Sequence, residues 1–204
     1  ARRIHTRTDP VFGWGFCVNW RTLTHTMKRH ILFALVGGII LFVWQFISFA
    51  GANLHALSME YTPLQDEILA DLQARGLEEG MYVLGMPSPD LGPEAHTAEI
   101  VRRVGQPWAV LNYHGSLSNN MGMNMFRGLA TGIAIAWLFF WLILQQKSTD
   151  LKHRIILSLC VGLISFLVVP YTNFIWYQNP DIMAHLMDGV APWLVLGWLG
   201  HRMA

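Results

Sequence analysis

The chain of 204 residues is 53% hydrophobic and only 13% charged, with a formal net charge of +1. Since a soluble globular domain carries about 25% charged residues, this composition excludes an ordinary soluble protein and favours one in contact with lipid. The basic residues are too few and too scattered for a nucleic-acid-binding protein. Nine Trp and eleven Phe are typical of a chain anchored at two membrane interfaces.

The first 26 residues show neither helical nor strand periodicity. They lead into Met27-Lys28-Arg29 and then into a long apolar run. A methionine, two cations and an apolar run form a common start for an inner-membrane protein. We therefore expect residues 1–26 to be a non-native or disordered extension, the alternative being a short native cytoplasmic tail.

Four apolar runs are long enough to cross a membrane. Residues 31–50 contain no charge, and twenty residues at about 1.5 Å each cover about 30 Å, the hydrocarbon thickness of a bilayer. The fourth run is the least hydrophobic because it contains His185 and Asp188. The predicted spans are residues 31–50, 122–146, 155–176 and 182–200.

The distribution of Lys and Arg predicts the orientation of these spans. Basic residues precede the first span, occupy the loop between the second and third, and follow the fourth, whereas the loop between the third and fourth has none. Residues 51–121 hold nine acidic residues against three basic ones, a net charge of −6. Because cytoplasmic loops are enriched in Lys and Arg, we expect both termini in the cytoplasm of a bacterial inner membrane, with residues 51–121 on the outside.

Residues 51–121 are expected to form a small α+β cap. Thr62, with Gln65 three positions later, predicts a capping box at the start of a helix, and Gly76 predicts its end. Further elements are predicted at residues 81–84 (strand), 95–104 (helix) and 108–114 (strand). A unit of this size is marginal alone and would gain stability by resting on the spans. The predicted fold is a mainly α membrane protein of four transmembrane helices, with a small extracytoplasmic α+β domain between the first and second.

The first half of the chain, from Met27, carries a resemblance. Trp44 lies in the first span, and Gly80, Tyr82, Leu84 and Pro87 follow in the cap. This pattern is similar to that of small bacterial inner-membrane proteins with an N-terminal anchor helix and a periplasmic segment. That family has no assigned activity, so the resemblance implies an inner-membrane location and no catalytic residues.

His185 and Asp188 are the main candidates for chemistry within a span. They are three residues apart and share one helical face. Ionisable groups at membrane depth are costly and usually face a protein interior or a cavity, which favours a proton relay or a His ligand oriented by a carboxylate. Alternatively, both lie at the interface, because Asp181 begins the helix only a turn earlier. In a working pair we expect Tyr171 and Asn173 as polar partners, since a short loop makes spans three and four neighbours.

A second candidate site combines histidine with methionine. Soft thioether ligands select Cu(I), so closely spaced Met residues near a His predict a copper site. The alternative is that these Met side chains fill apolar gaps at helix starts. The residues concerned are His114, Met121, Met123, Met125, Met183 and Met187.

No complete catalytic constellation is present. We therefore expect a non-enzymatic accessory protein, in contact with the bilayer, whose cap binds an envelope protein partner. The alternative is a membrane protein that handles a small solute or a copper-type metal through outer-leaflet His, Met and Asp groups. Apart from that copper ion, no cofactor is predicted. Convergence of these polar groups on one cavity would favour the alternative.

Overall fold

The computed structural model describes residues 20–204, with side chains from residue 27 onward. It is mainly helical, and it contains four helices long and apolar enough to cross a membrane. Their ends differ by no more than four residues from the predicted spans. They are Met27–Gly51, Met121–Gln145, Leu151–Tyr177 and Ile182–Met203.

The first helix, α1, comprises Trp20–Phe46. Residues 20–26, the last seven of the predicted extension 1–26, are thus helical and continue directly into the first span. Residues 1–19 lie outside the part of the chain that the structure describes. At its other end α1 widens into a π-helical turn, Ile47–Gly51. This turn buries Ser48 completely. A single π turn inserts a residue into the helix and is frequent at functional sites.

The segment between the first two spans, residues 52–120, is called the cap here. It begins with a 3-10 turn, Ala56–Ser58. Its helices and strands lie close to the predicted positions, with the two strands antiparallel. The elements are α2, Gln65–Ala74; β1, Gly80–Leu84; α3, Pro93–Arg103; and β2, Ala109–Tyr113.

The predicted capping box at Thr62 is wrong. The N-cap residue of α2 is Leu64, and no side chain caps the helix. Thr62 Oγ1 instead accepts a hydrogen bond from the Leu64 backbone N–H at 3.3 Å. The Thr62 hydroxyl thus closes a local turn just before the helix. Ser and Thr side chains often make such local hydrogen bonds to the backbone instead of capping a helix.

The cap has almost no core of its own. No residue of α2 or α3 is buried, and neither helix packs extensively on another element. Among the described cap residues the buried apolar side chains are Pro87 and Tyr113. Among the described residues, the side-chain hydrogen bonds from the cap to the fourth span and to the loop before it come from His55 and Ser58, in the region of the 3-10 turn.

The second span is α4, Met121–Gln145, and it packs most closely against α1. A Cβ added to Gly38 would lie 2.5 Å from Ile133 Cγ1 and 2.7 Å from the Ile133 backbone. Small residues allow such close approach of helices within a membrane, where apolar burial alone gives no preference for helix–helix contact.

The third and fourth spans each contain an interruption. The third consists of α5, Leu151–Phe166, a π turn, Leu167–Tyr171, and α6, Thr172–Tyr177. The fourth is divided into α7, Ile182–Asp188, and α8, Ala191–Met203. Pro192 lies at the start of α8, and a proline has no N–H to continue the hydrogen bonding of α7. The break follows directly after Asp188.

Contacts between chain segments define the two ends of the four-helix bundle. At one end Arg29 Nη2 donates to the carbonyl of Ala204 at 2.9 Å, and His201 Nδ1 lies 3.1 Å from the carbonyl of Thr149. At the other end, called the cap end, His55 contacts Asp181. The spans therefore alternate in direction. Between the two ends lies a buried apolar core of Phe33, Ala136, Phe139, Phe140, Ile143, Trp193 and Leu196.

Candidate functional site

A cluster of polar side chains lies at the cap end of the bundle. It joins the π turn of the first span, the beginning of the cap and the start of the fourth span. Its centre is His55, which follows the first span by four residues and is completely buried. A completely buried imidazole must have hydrogen-bond partners, because an unsatisfied buried polar group costs about 1–3 kcal/mol.

The His55 ring lies between two carboxylates. Its Nδ1 is 2.7 Å from Asp181 Oδ2, and its Nε2 is 3.0 Å from Asp188 Oδ2. One face of the ring stacks on Phe49 at 3.9 Å between centroids, and the ring of His185 approaches it edge-on at 4.7 Å. Since a carboxylate oxygen only accepts, both nitrogens make hydrogen bonds when both carry a proton.

Asp188 is held by the first span. Its Oδ1 accepts hydrogen bonds from Trp44 Nε1 at 2.9 Å and from Ser48 Oγ at 2.8 Å. Trp44 and Ser48 are four residues apart and therefore share one face of their helix. These two donors fix the carboxylate plane and leave Oδ2 directed at His55.

Asp181 lies in the loop just before α7. Its Oδ2 accepts a hydrogen bond from Ser58 Oγ at 2.6 Å, and it lies 3.4 Å from His185 Nε2. Burial acts to raise the pKa of Asp181, but hydrogen bonds from Ser58 and His55 and the nearby charge of His185 outweigh it. The net pKa is therefore below the ordinary value of 3.8, and this carboxyl is ionised at neutral pH.

A cavity of about 460 Å³ lies beside the cluster, between the first, second and fourth spans. His185 and Asp188 are on its wall, together with the aromatic rings of Trp44 and Phe49. His55, His185 and Asp188 each offer one possible metal-ligand atom, and these atoms all lie within 4.8 Å of one another. The site thus combines imidazole nitrogens, a carboxylate and a partly open cavity with space for a small ligand.

The predicted pair His185 and Asp188 lies in this site, but the two are connected through other residues. Asp188 bonds to His55, and His185 contacts Asp181. The expected partners from the third span are not part of the cluster: Tyr171 packs against Phe166 and Phe174, and Asn173 makes no side-chain hydrogen bond among the described residues. The reason is that Asp188 Oδ1 already accepts hydrogen bonds from Trp44 and Ser48 of the first span.

The predicted His and Met cluster does not assemble around this cavity. His114 lies in a separate cleft of the cap, beside Leu69 and Gln73. None of the five Met side chains lines the cavity beside His185, and all are about half exposed or more. Those residues are Met121, Met123, Met125, Met183 and Met187.

Sequence reasoning did not select His55, Asp181, Trp44 or Ser48. His55 and Asp181 lie outside the predicted spans, where polar residues are common and indicate no particular function. Trp44 lies within a span, and a Trp there is typical of an anchor at the membrane interface. One signal was present: a histidine within four residues of the end of a charge-free span is close enough to face the bundle.

No protein-family model matches this chain, and no curated protein or solved structure does either. A functional assignment therefore depends on the geometry of the site.

Proposed function

We propose that this is a multi-pass membrane protein that binds a small cation in the cavity beside His185 and Asp188. The observation that supports it is that His185 and Asp188 line that cavity and that His55 offers a third possible ligand atom within 4.8 Å of theirs. This is the solute- or metal-handling alternative with a changed set of residues: His114 and the Met side chains do not line the cavity, whereas His55 and Asp181 contact the pair His185 and Asp188.

The wall of the cavity favours a positive ligand. The Asp188 carboxylate lines it, and the Asp181 carboxylate lies on the other side of His55. Carboxylates at membrane depth are costly unless they are paired, so a cation in the cavity would stabilise the site. The rings of Trp44 and Phe49 on the cavity wall are also surfaces to which organic ammonium groups bind.

Cation binding is expected to raise the thermal stability of the full chain in mild detergent. A ligand at 100 times its Kd stabilises the native state by about 2.7 kcal/mol. We expect a saturable rise in Tm with at least one member of a panel of Na⁺, Mg²⁺, Zn²⁺, choline and ethanolamine. Asp188→Asn should abolish the rise, whereas Asp150→Asn, an exposed carboxylate in the loop before α5, should keep it. If no cation of the panel stabilises the wild-type chain, the proposal is wrong.

We further propose a bacterial inner-membrane location, with both termini in the cytoplasm and the cap on the opposite side. The support is the contact of Arg29 with Ala204 and of His201 with Thr149, which brings the start of the first span, the end of the fourth and the basic loop to one end of the bundle. Periplasmic reporters fused after Gly76 or Asn179 should be active. Reporters after Ser148 or at the C-terminus should be inactive, and activity after Ser148 would contradict this orientation.

The second candidate is the accessory protein whose cap binds an envelope protein. It is favoured by large apolar side chains that the cap leaves exposed, among them Tyr61, Val104 and Leu117. Large apolar side chains exposed to solvent are often buried in an interface with a partner. Co-purification in mild detergent, followed by mass spectrometry, should recover one stoichiometric protein that is lost when Val104 is replaced with Asp. Recovery of no such protein would leave the cation site as the sole candidate.

A further inference from the structure

We infer that the cation is a divalent transition-metal ion of the zinc type, bound by a ring nitrogen of His185, Asp188 Oδ2 and His55 Nε2, which releases its proton to solvent when the metal binds. This inference rests on the proposed cation-binding function and names its ligand class. Imidazole nitrogens and a carboxylate oxygen are the donors of zinc sites with three protein ligands. The nitrogen and oxygen donors also distinguish this ion from Cu(I), which prefers thioether and thiolate sulfur.

The surroundings of the three ligands are those of a built metal site. Metal-binding histidines almost always direct their second nitrogen at a carboxylate or carbonyl, and metal-binding carboxylates are themselves hydrogen-bonded. His55 meets this condition through Nδ1, 2.7 Å from Asp181. Asp188 meets it through Oδ1, which accepts from Trp44 and Ser48. These contacts hold His55 Nδ1 and Asp188 Oδ1. The remaining two atoms, His55 Nε2 and Asp188 Oδ2, face each other.

The present spacing is close to that needed for coordination. Tetrahedral ligands about 2.0–2.2 Å from a zinc ion lie roughly 3.3 Å from one another. His55 Nε2 and Asp188 Oδ2 are 3.0 Å apart and need to separate by only a few tenths of an ångström. His185 has the largest movement to make, and its side chain is partly exposed, at 29%, so it has room to move.

Three protein ligands leave one coordination position open. Since His185 and Asp188 also line the cavity, that position faces a partly open space in which a water molecule or a small solute fits. Structural zinc sites have four protein ligands, whereas sites that exchange a ligand keep one position free. The geometry therefore points to a metal centre that contacts a solute, rather than to one that only stabilises the fold.

The test is metal binding by the full chain, purified in detergent without a metal-binding tag. We expect equilibrium dialysis against Zn²⁺, followed by elemental analysis, to give one ion per chain. His185→Gln should remove the bound ion, and Asp181→Asn should weaken affinity by about 10–100-fold, since Asp181 acts through His55. The matched control is His153→Gln, an exposed histidine in the first turn of α5, which should bind as the wild type does.

Cobalt substitution gives a measurement that needs no variant. Co²⁺ bound in place of zinc should produce the visible absorption bands of a four-coordinate nitrogen and oxygen site. No bound zinc and no such bands in the wild type would overturn the inference, as would binding that His185→Gln leaves unchanged. If choline or ethanolamine stabilises the chain while zinc does not bind, the metal is wrong and the cation site stands. If nothing binds, both proposals fail.

Discussion

Replacing His55 with Ala is expected to lower the free energy of unfolding by about 3–5 kcal/mol, the cost of leaving a buried charged group without its partner. The substitution removes both contacts of the ring, at 2.7 and 3.0 Å, and leaves Asp181 and Asp188 without the group between them. Thermal unfolding in detergent measures the loss. His153→Ala, at an exposed histidine outside the cluster, should change stability by no more than about 0.5 kcal/mol.

A double variant separates charge from packing at the same position. If repulsion between the two carboxylates causes most of the loss, adding Asp188→Asn to His55→Ala should restore part of the stability. Residues within one hydrogen-bond network show such coupling, with interaction energies of about 0.5–3 kcal/mol. A cost below about 1 kcal/mol for His55→Ala, or strict additivity in the double variant, would show that the ring does not bridge the two carboxylates.

The second large effect is expected at Gly38, where the first and second spans cross. Its added Cβ would meet both the side chain and the backbone of Ile133, at 2.5 and 2.7 Å. Because backbone cannot swing aside as a flexible side chain does, we expect Gly38→Ala to cost about 1–3 kcal/mol, the usual range for overpacking.

Gly122 offers the matched control, since it is also helical and an added Cβ there meets nothing within 4 Å. Gly122→Ala should be neutral or stabilise by up to about 1 kcal/mol through helix propensity. Thermal unfolding of the two variants side by side measures the difference. Equal Tm values for Gly38→Ala and Gly122→Ala would show that the two helices do not approach closely at Gly38.

The four spans were predictable because twenty consecutive apolar residues have few structural alternatives. The π turn at Ile47–Gly51 and the division of the fourth span after Asp188 were not. A π turn shifts the helix by one residue, and such a shift leaves no trace in a uniformly apolar run. Pro192 was visible in the sequence, but a proline within a span predicts a kink as readily as a full break.

Only part of the site was predictable from the sequence, namely the ionisable residues within a predicted span, where burying a charge is costly. His185 and Asp188 are conspicuous because ionisable residues are rare within apolar spans. His55 and Asp181 lie in connecting segments, where polar residues are ordinary. They are 126 residues apart, and their contact becomes visible only when the helices are packed.

The long sequence separation within the cluster has a consequence for biogenesis. His55 emerges 126 residues before Asp181 and 133 residues before Asp188. At synthesis rates of about 5–20 residues per second, its acidic partners follow roughly 6–27 s later. Until then the histidine has neither carboxylate available, and a chain truncated before the fourth span never acquires them. Closure of the cluster therefore requires that the fourth span has been inserted, and a chain without that span retains a histidine whose two carboxylate partners are missing.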